Sequence, residues 1–211
     1  MNALSLAGAV LAISRLMTEN RDYLIELDQQ YGDGDLGISM AAGFKAVSDY
    51  LAAASANESS AGEKDLGKLF FKSSTVFNEA APSSLGTILS FGLMGMAKAL
   101  KGKEEASLEE IASAMEAGIA AIMEKAKSKP GEKTVLDALC PAVQVLKDAG
   151  AISEAEAWAK AAAAAAEGSE STRAMKPVHG RGVYYGEKSI GMLDGGSAVG
   201  RLIFEGISAL F

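Results

Sequence analysis

Apolar residues recur every three or four places through almost the whole chain, and Ala, the best intrinsic helix former, fills much of the remainder. Only Val183-Tyr184-Tyr185 hints at a strand. A chain with this period can bury its apolar stripes only by packing helix on helix, so the fold class is all-α. Helices are expected near 3–18, 20–30, 36–54, 64–78, 84–100, 107–127, 133–149, 153–175 and 194–210. Two of them open on capping boxes, Ser107-x-x-Glu110 and Ser153-x-x-Glu156, in which side chains satisfy amides of the first turn. The stretches 54–62 and 125–133, the second with Pro130-Gly131, are polar connectors. Short connectors between long helices give antiparallel neighbours and a bundle. No break in composition separates two cores, so residues 1–211 are expected to form one domain, and 49% apolar residues suffice for its interior.

The charge balance narrows the partners. A net charge of -7 argues against a nucleic-acid backbone, which draws affinity from clustered Lys and Arg. The single cysteine, Cys140, excludes an internal disulfide, suits a reducing cytosol, and lies in an apolar stretch that predicts packing instead of reactivity. The apolar N-terminus lacks a basic leader and runs on through Arg15 and Glu19 as an amphipathic helix. Ala80 to Ala97 carries no charge, but its Ser, Gly and Pro residues predict a buried core helix, not a membrane span.

One stretch departs from helical periodicity. Between Asp28 and Gly37 three carboxylates and three glycines fall within ten positions. If Asp28 ends one helix and Gly37 starts the next, Asp28, Asp33 and Asp35 converge from two sides of a tight turn. Converging carboxylates repel one another unless a cation sits among them, and hard oxygen ligands select Mg2+ or Ca2+. The ordinary alternative is a solvated Gly/Asp turn. Gly32 to Gly37 spells G-x-G-x-x-G, yet no strand precedes it and two aspartates would repel a bare pyrophosphate. With Mg2+ bridging them, the same aspartates could hold a diphosphate. A calcium loop counted from Asp33 fails, because Phe44 stands where the bidentate Glu belongs. The near P-loop at 62–69 fails at Leu69, which replaces the metal-binding hydroxyl.

Farther along, Arg181 lies in a glycine-bracketed loop, where a guanidinium could fork onto phosphate oxygens or simply be solvated. Asp194 before Gly195-Gly196 is either an N-cap or a ribose or phosphate contact. His179, the only histidine, invites a phosphocarrier reading, against the ordinary one of an exposed loop histidine.

Three blocks in register resemble the ADP-binding L subunit of bacterial dihydroxyacetone kinases. Leu27-Asp28 through Gly32-Asp33-Gly34-Asp35-Leu36-Gly37 is similar to that family's Leu-Asp-x-x-x-Gly-Asp-x-Asp-x-Gly run. Lys133-Thr134 with Asp137 resembles its Lys-Thr-x-x-Asp, and Gly180-Arg181 through Tyr185-Gly186-Glu187-Lys188-Ser189-Ile190-Gly191 resembles its Gly-Arg-x-x-Tyr-x-Gly-Glu-Arg-Ser-Ile-Gly. The resemblance implies an eight-helix antiparallel up-and-down barrel with the nucleotide at one end, under loops 28–37, 79–86, 131–135 and 180–196. It implies Asp28, Asp33 and Asp35 as ligands of Mg2+, two ions, and these aspartates with Arg181 as the catalytic set. It implies a nucleotide site drawn from Leu36, Gly37 and Ser39, from Ala80, Ala81, Ser83 and Ser84, from Ala126, from Thr134 and Val135, and from Arg181, Asp194, Gly195 and Gly196. Leu36 and Val135 would pack the adenine.

By the same resemblance ADP is a fixed cofactor, transiently ATP, that takes phosphate from a phosphotransferase-system M subunit and gives it to dihydroxyacetone held on a K subunit. A cytoplasmic protein with no membrane or direct nucleic-acid partner follows. The chain departs from the family pattern at Leu36 for His, Ser39 for Asn, Ala126 for Gly and Gly195 for Pro, and at 78–85, where Asn-Glu-Ala-Ala-Pro-Ser-Ser-Leu replaces a glycine-rich turn. Those changes keep two alternatives open: a diverged paralogue serving another small ketose, or a non-catalytic regulatory subunit that binds a transcriptional regulator or kinase partner. A structural bundle with a decorative acidic turn is a third.

Overall fold

Among the described residues nine α-helices form where the apolar period predicts them. In a computed structural model that describes residues 1–56 and 63–211, they are α1 (Ala3–Glu19), α2 (Arg21–Gln29), α3 (Leu36–Ala56), α4 (Leu66–Ala80), α5 (Ser84–Ala99), α6 (Leu108–Ala126), α7 (Leu136–Lys147), α8 (Glu154–Ser171) and α9 (Gly195–Ser208). Two 3-10 segments, Thr172–Ala174 and Arg181–Ser189, lie between α8 and α9. The connector expected at 54–62 falls, from residue 57 on, outside the described residues.

Eight of the helices close a ring. Each of α3, α4, α5, α6, α7, α8 and α9 packs on the next in chain order, α9 returns to α1, and α1 packs on α3. The short α2 lies outside that ring, against α3 and α9. The expected eight-helix barrel is therefore present, with α2 as an added lid at one end. Buried apolar side chains from α1, α3 to α7 and α9 point inward around a narrow cavity of about 150 Å³. Trp158, Phe204 and Phe77, all at most 2% exposed, are among the largest side chains in the core. Phe77 meets Phe44 edge to face, with ring centroids 4.9 Å apart.

Helix ends follow their caps. Ser107 and Glu110 make the full reciprocal box at α6, as the sequence predicts. At α8 only half of it forms: Ser153 accepts from the Glu156 amide, while the Glu156 carboxylate pairs with Lys160 one turn on. Gly67 sits against the backbone of Lys101 and Ala97, so the near P-loop glycine serves helix packing. The strand hinted at by Val183-Tyr184-Tyr185 is instead part of a 3-10 segment broken at Gly186; without a neighbouring strand the β-prone residues have no ladder to join. Helix α7 starts at Leu136 instead of 133, because Lys133 is held at φ 61°. Helix α5 lies between α4 and α6 as a core helix, and among the described residues no helix is long and apolar enough to cross a membrane. Cys140 is half-buried, and burial pushes its thiol up to about 11.

Ring members that alternate in direction bring the starts of α3, α5, α7 and α9 to one end. A Cβ on Gly195, first residue of α9, would lie 2.6 Å from Leu36 Cδ2 at the start of α3. Gly196 lies against Val135, just ahead of α7. Gly43, two turns into α3, packs on Ala81, just ahead of α5. Unpaired amides at helix starts and the positive ends of four helix dipoles make this end receptive to anions.

Candidate functional site

The Asp28–Gly37 turn sits at that end because α2 stops at Gln29 and α3 restarts at Leu36. Asp28 shapes the turn: one carboxylate oxygen accepts from the Gly34 amide at 2.7 Å, and its carbonyl accepts from Gly32. A Cβ on Gly32 would fall 2.2 Å from Asp28 Oδ1, and Gly34 takes φ 77°, so both positions require glycine. The result is the convergence expected from sequence. One carboxylate oxygen from each of Asp28, Asp33 and Asp35 lies within 4.8 Å of the others. Asp28 is half-buried and the other two face solvent. Partial desolvation, then the carboxylates of Asp33 and Asp28, hold the Asp35 carboxyl above its ordinary range, and Arg181 partly offsets this. A cage of hard oxygens open on one side fits Mg2+ that keeps part of its water shell.

Arg181 reaches the cage from the other side of the barrel mouth. Its Nη2 lies 2.8 Å from Asp33 Oδ2. Tyr31, in the turn itself, donates its hydroxyl to the Leu193 carbonyl at 3.0 Å, and its ring lies 6.1 Å from that of Tyr185. Burial first, then the charges of Asp194 and Asp28, push the Tyr31 phenol up, so it remains a hydrogen-bond donor. Asp194 caps α9, accepting from the Ser197 amide at 2.6 Å. The N-cap, one of the two readings open for Asp194, is present.

The other nucleotide-site candidates divide by exposure. Gly37 and Gly195 are buried where helices meet; Leu36 and Val135 are also buried, in the wall beneath the turn. Ser39 is buried, and its hydroxyl turns back to the Leu36 carbonyl. Thr134 is half-buried, its amide bound to Asp137 and its hydroxyl accepting from Leu136. Ala81 is fully buried, Ala80 half so; Ser83 caps α5 through Gly86, and Ser84 is exposed. Ala126 ends α6, before Lys127 in the left-handed region. Gly196 is partly open beside Asp194 and Val135.

Four residues that the motif reading did not place in a role organise this end. Tyr31 occupies a variable slot of the turn. Asp137 is buried and holds the 131–134 loop by accepting from the Gly131 amide at 2.5 Å and the Thr134 amide at 2.7 Å. Glu132 accepts from the Lys129 amide and shares a 2.6 Å hydrogen bond with His179, which holds its carboxyl below the usual range. His179 is thus half-buried and partnered, not the exposed loop histidine expected. Lys133 is the fourth. The sequence signal for Lys133 and Asp137 was their place in one short block; nothing local marks Glu132.

Residues 30–209 match the DAK2 domain. The chain belongs to the DAK2 domain family. Among relatives of this DAK2 domain, the ADP-binding subunit DhaL of PEP-dependent dihydroxyacetone kinase 2 from Listeria innocua is 31% identical over 183 residues, 86% of this chain and 82% of the relative. The L-erythrulose kinase of Pectobacterium atrosepticum is 28% identical over 207 residues, 97% of this chain and 34% of that longer protein. The crystal structure of the dihydroxyacetone kinase from C. freundii in complex with AMP-PNP and Mg2+ has the same fold: TM-score 0.76 at 23% identity, covering all of the DAK2 domain described here and 34% of that chain.

Proposed function

We propose that this chain is a kinase subunit in one domain over residues 1–211, which holds ADP as a fixed cofactor. It relays a phosphoryl group from a phosphotransferase-system M subunit to dihydroxyacetone carried by a K subunit, in the cytoplasm. The observation that carries the reading is the aspartate cage at the mouth where four helix starts converge, with Arg181 across from it. The likeness to an L subunit over most of both chains supports the choice of partners.

In this reading Asp28, Asp33 and Asp35 hold Mg2+, which when bound neutralises charge on the diphosphate and the transferring phosphoryl group. Asp28 keeps the turn closed through Gly34. Arg181, now paired with Asp33, would supply a guanidinium to a phosphate oxygen. The helix starts of α7 and α9, with the half-buried Thr134, Asp194 and Gly196 between them, border the nucleotide. The buried Leu36 and Val135 form an apolar floor beneath it.

A second reading changes only the acceptor. The relation to an L-erythrulose kinase over 97% of this chain favours another small ketose as an alternative. Calorimetry of ADP with and without Mg2+, on the wild type and on Asp33→Ala, tests the common core of both. Binding that needs both the ion and Asp33 is expected; a folded, nucleotide-free wild type that binds no ADP overturns the reading in favour of a regulatory subunit.

A further inference from the structure

Lys133 is a cation in a place that rewards cations least. Only 3% of it is exposed, and its backbone sits at φ 61°, a region that a residue with a side chain rarely occupies. Its Nζ donates to the carbonyls of Ser189 at 2.8 Å, Met192 at 2.8 Å and Met175 at 3.3 Å. An ammonium has three N–H bonds and no acceptor capacity, so these carbonyls use it completely. Lys133 therefore has no donor left for a phosphate. Burial pulls its pKa down while the field of Asp194 opposes that pull.

The three carbonyls have a common feature. Met175 lies before, and Ser189 and Met192 lie after, the bulk of the segment that carries Arg181. Within that span Gly180, Gly186 and Gly191 take φ 66°, 50° and 91°, with nothing within 4 Å of where a Cβ would be. Three turns of this segment therefore rest on glycine conformations. Other ties to this segment include the exposed Lys176–Glu187 pair, the Arg173 guanidinium and carbonyl to Gly191, the Val178 amide to the Glu132 carbonyl, the His179–Glu132 bond, and the Arg181 and Tyr185 contacts to the aspartate turn. An exposed pair such as Lys176–Glu187 contributes about 0–1 kcal/mol. A buried, fully used ammonium is a different matter, because its loss leaves the Met175 and Met192 carbonyls without that donor and the Ser189 carbonyl with the Met192 amide alone.

We propose that Lys133 is a positioning residue: it ties both roots of the 175–192 segment to the start of α7 and so holds Arg181 across from the aspartate cage. This rests on reading that cage as the MgADP site. A methionine of similar length would fill the slot and supply no donor. Arginine would keep the charge, but its planar fork cannot aim three N–H bonds tetrahedrally.

The test combines two measurements on wild type, Lys133→Met, Arg181→Ala and the double variant. Calorimetry of MgADP is expected to show Lys133→Met weakened by about tenfold, a mid-range value for coupling within one network. The double variant should be no weaker than Arg181→Ala alone, since the tie acts through Arg181. Trypsin cleavage after Arg181 and Lys188, followed without nucleotide, should accelerate in Lys133→Met while cleavage elsewhere does not. Unchanged affinity and protection, or losses that add in full, overturn the proposal. Should wild type bind no MgADP, the site reading fails, while the proteolysis still decides whether Lys133 ties the segment. If Lys133→Met does not fold, Lys133→Arg takes its place under the same criteria.

Discussion

Arg181 Nη2 and Asp33 Oδ2 stand 2.8 Å apart, joining two segments separated by most of the chain at the mouth of the barrel. The guanidinium is 62% exposed and the carboxylate 50%, so the pair contributes at most about 1 kcal/mol to folding. Its consequence is local: an exposed cation shares the field of three carboxylates that a metal is proposed to occupy. Arg181→Ala is therefore expected to leave the thermal midpoint nearly unchanged. MgADP binding should weaken by the about 1.5–3 kcal/mol of a lost charge-assisted hydrogen bond, read by calorimetry. Arg181→Lys should recover only part of this, since an ammonium cannot make the bidentate contact.

The turn glycines make a sharper prediction. A methyl on Gly32 would meet Asp28 Oδ1 at 2.2 Å and must push the carboxylate aside. Gly32→Ala is expected to fold, because the turn lies outside the barrel core, yet to lack the rise in melting temperature that Mg2+ is expected to give the wild type. Gly34→Ala, at φ 77°, should cost about 1–2 kcal/mol for the left-handed backbone alone. Thermal melts with and without Mg2+ check both.

Much of this was legible along the chain. The nine helices announce themselves by period, and the α6 start by its box, because both are local patterns. The aspartate cage was legible for the same reason: its three ligands lie within one turn. Tyr31 bonding to Leu193 and Lys133 bonding to Ser189 and Met192 were not, since each contact spans more than fifty residues and joins a side chain to a backbone carbonyl. Carbonyls carry no sequence signature. The reciprocal box at Ser153 failed because Lys160 offered Glu156 a better partner than an amide.

Asp194 gives a pH dependence with a definite sign. Burial, only partly countered by the Ser197 amide, raises its carboxyl from 3.8 to about 7. Between those values the folded chain keeps a proton that the unfolded chain has released, so stability falls as pH rises through the window. Below it both states are protonated; above it the loss is complete. Asp194→Asn retains the cap to Ser197 without the charge. Its stability relative to wild type should increase from about pH 4 to about pH 7, in urea unfolding without Mg2+. A constant difference across that range would place the titration elsewhere.

Two departures from the family pattern touch each other. Gly195 stands where that pattern has proline, and Leu36 where it has histidine; Leu36 Cδ2 occupies space 2.6 Å from where a Cβ on residue 195 would be. Residue 195 is the first of α9, a position where proline is ordinarily favoured because the amide has no helical partner and φ is already set. Here the leucine has taken the room of the ring. Gly195→Pro in the wild type is expected to destabilise by about 1–3 kcal/mol through overpacking, against its usual effect. In a Leu36→Ala background the same change should be neutral or stabilising, a coupling of about 0.5–3 kcal/mol in a double-mutant cycle by urea unfolding. Additive effects would mean that the two substitutions are independent. Strong coupling would mean that they are one repacking of the floor beneath the proposed nucleotide, and that MgADP affinity should respond to the pair and not to either residue alone.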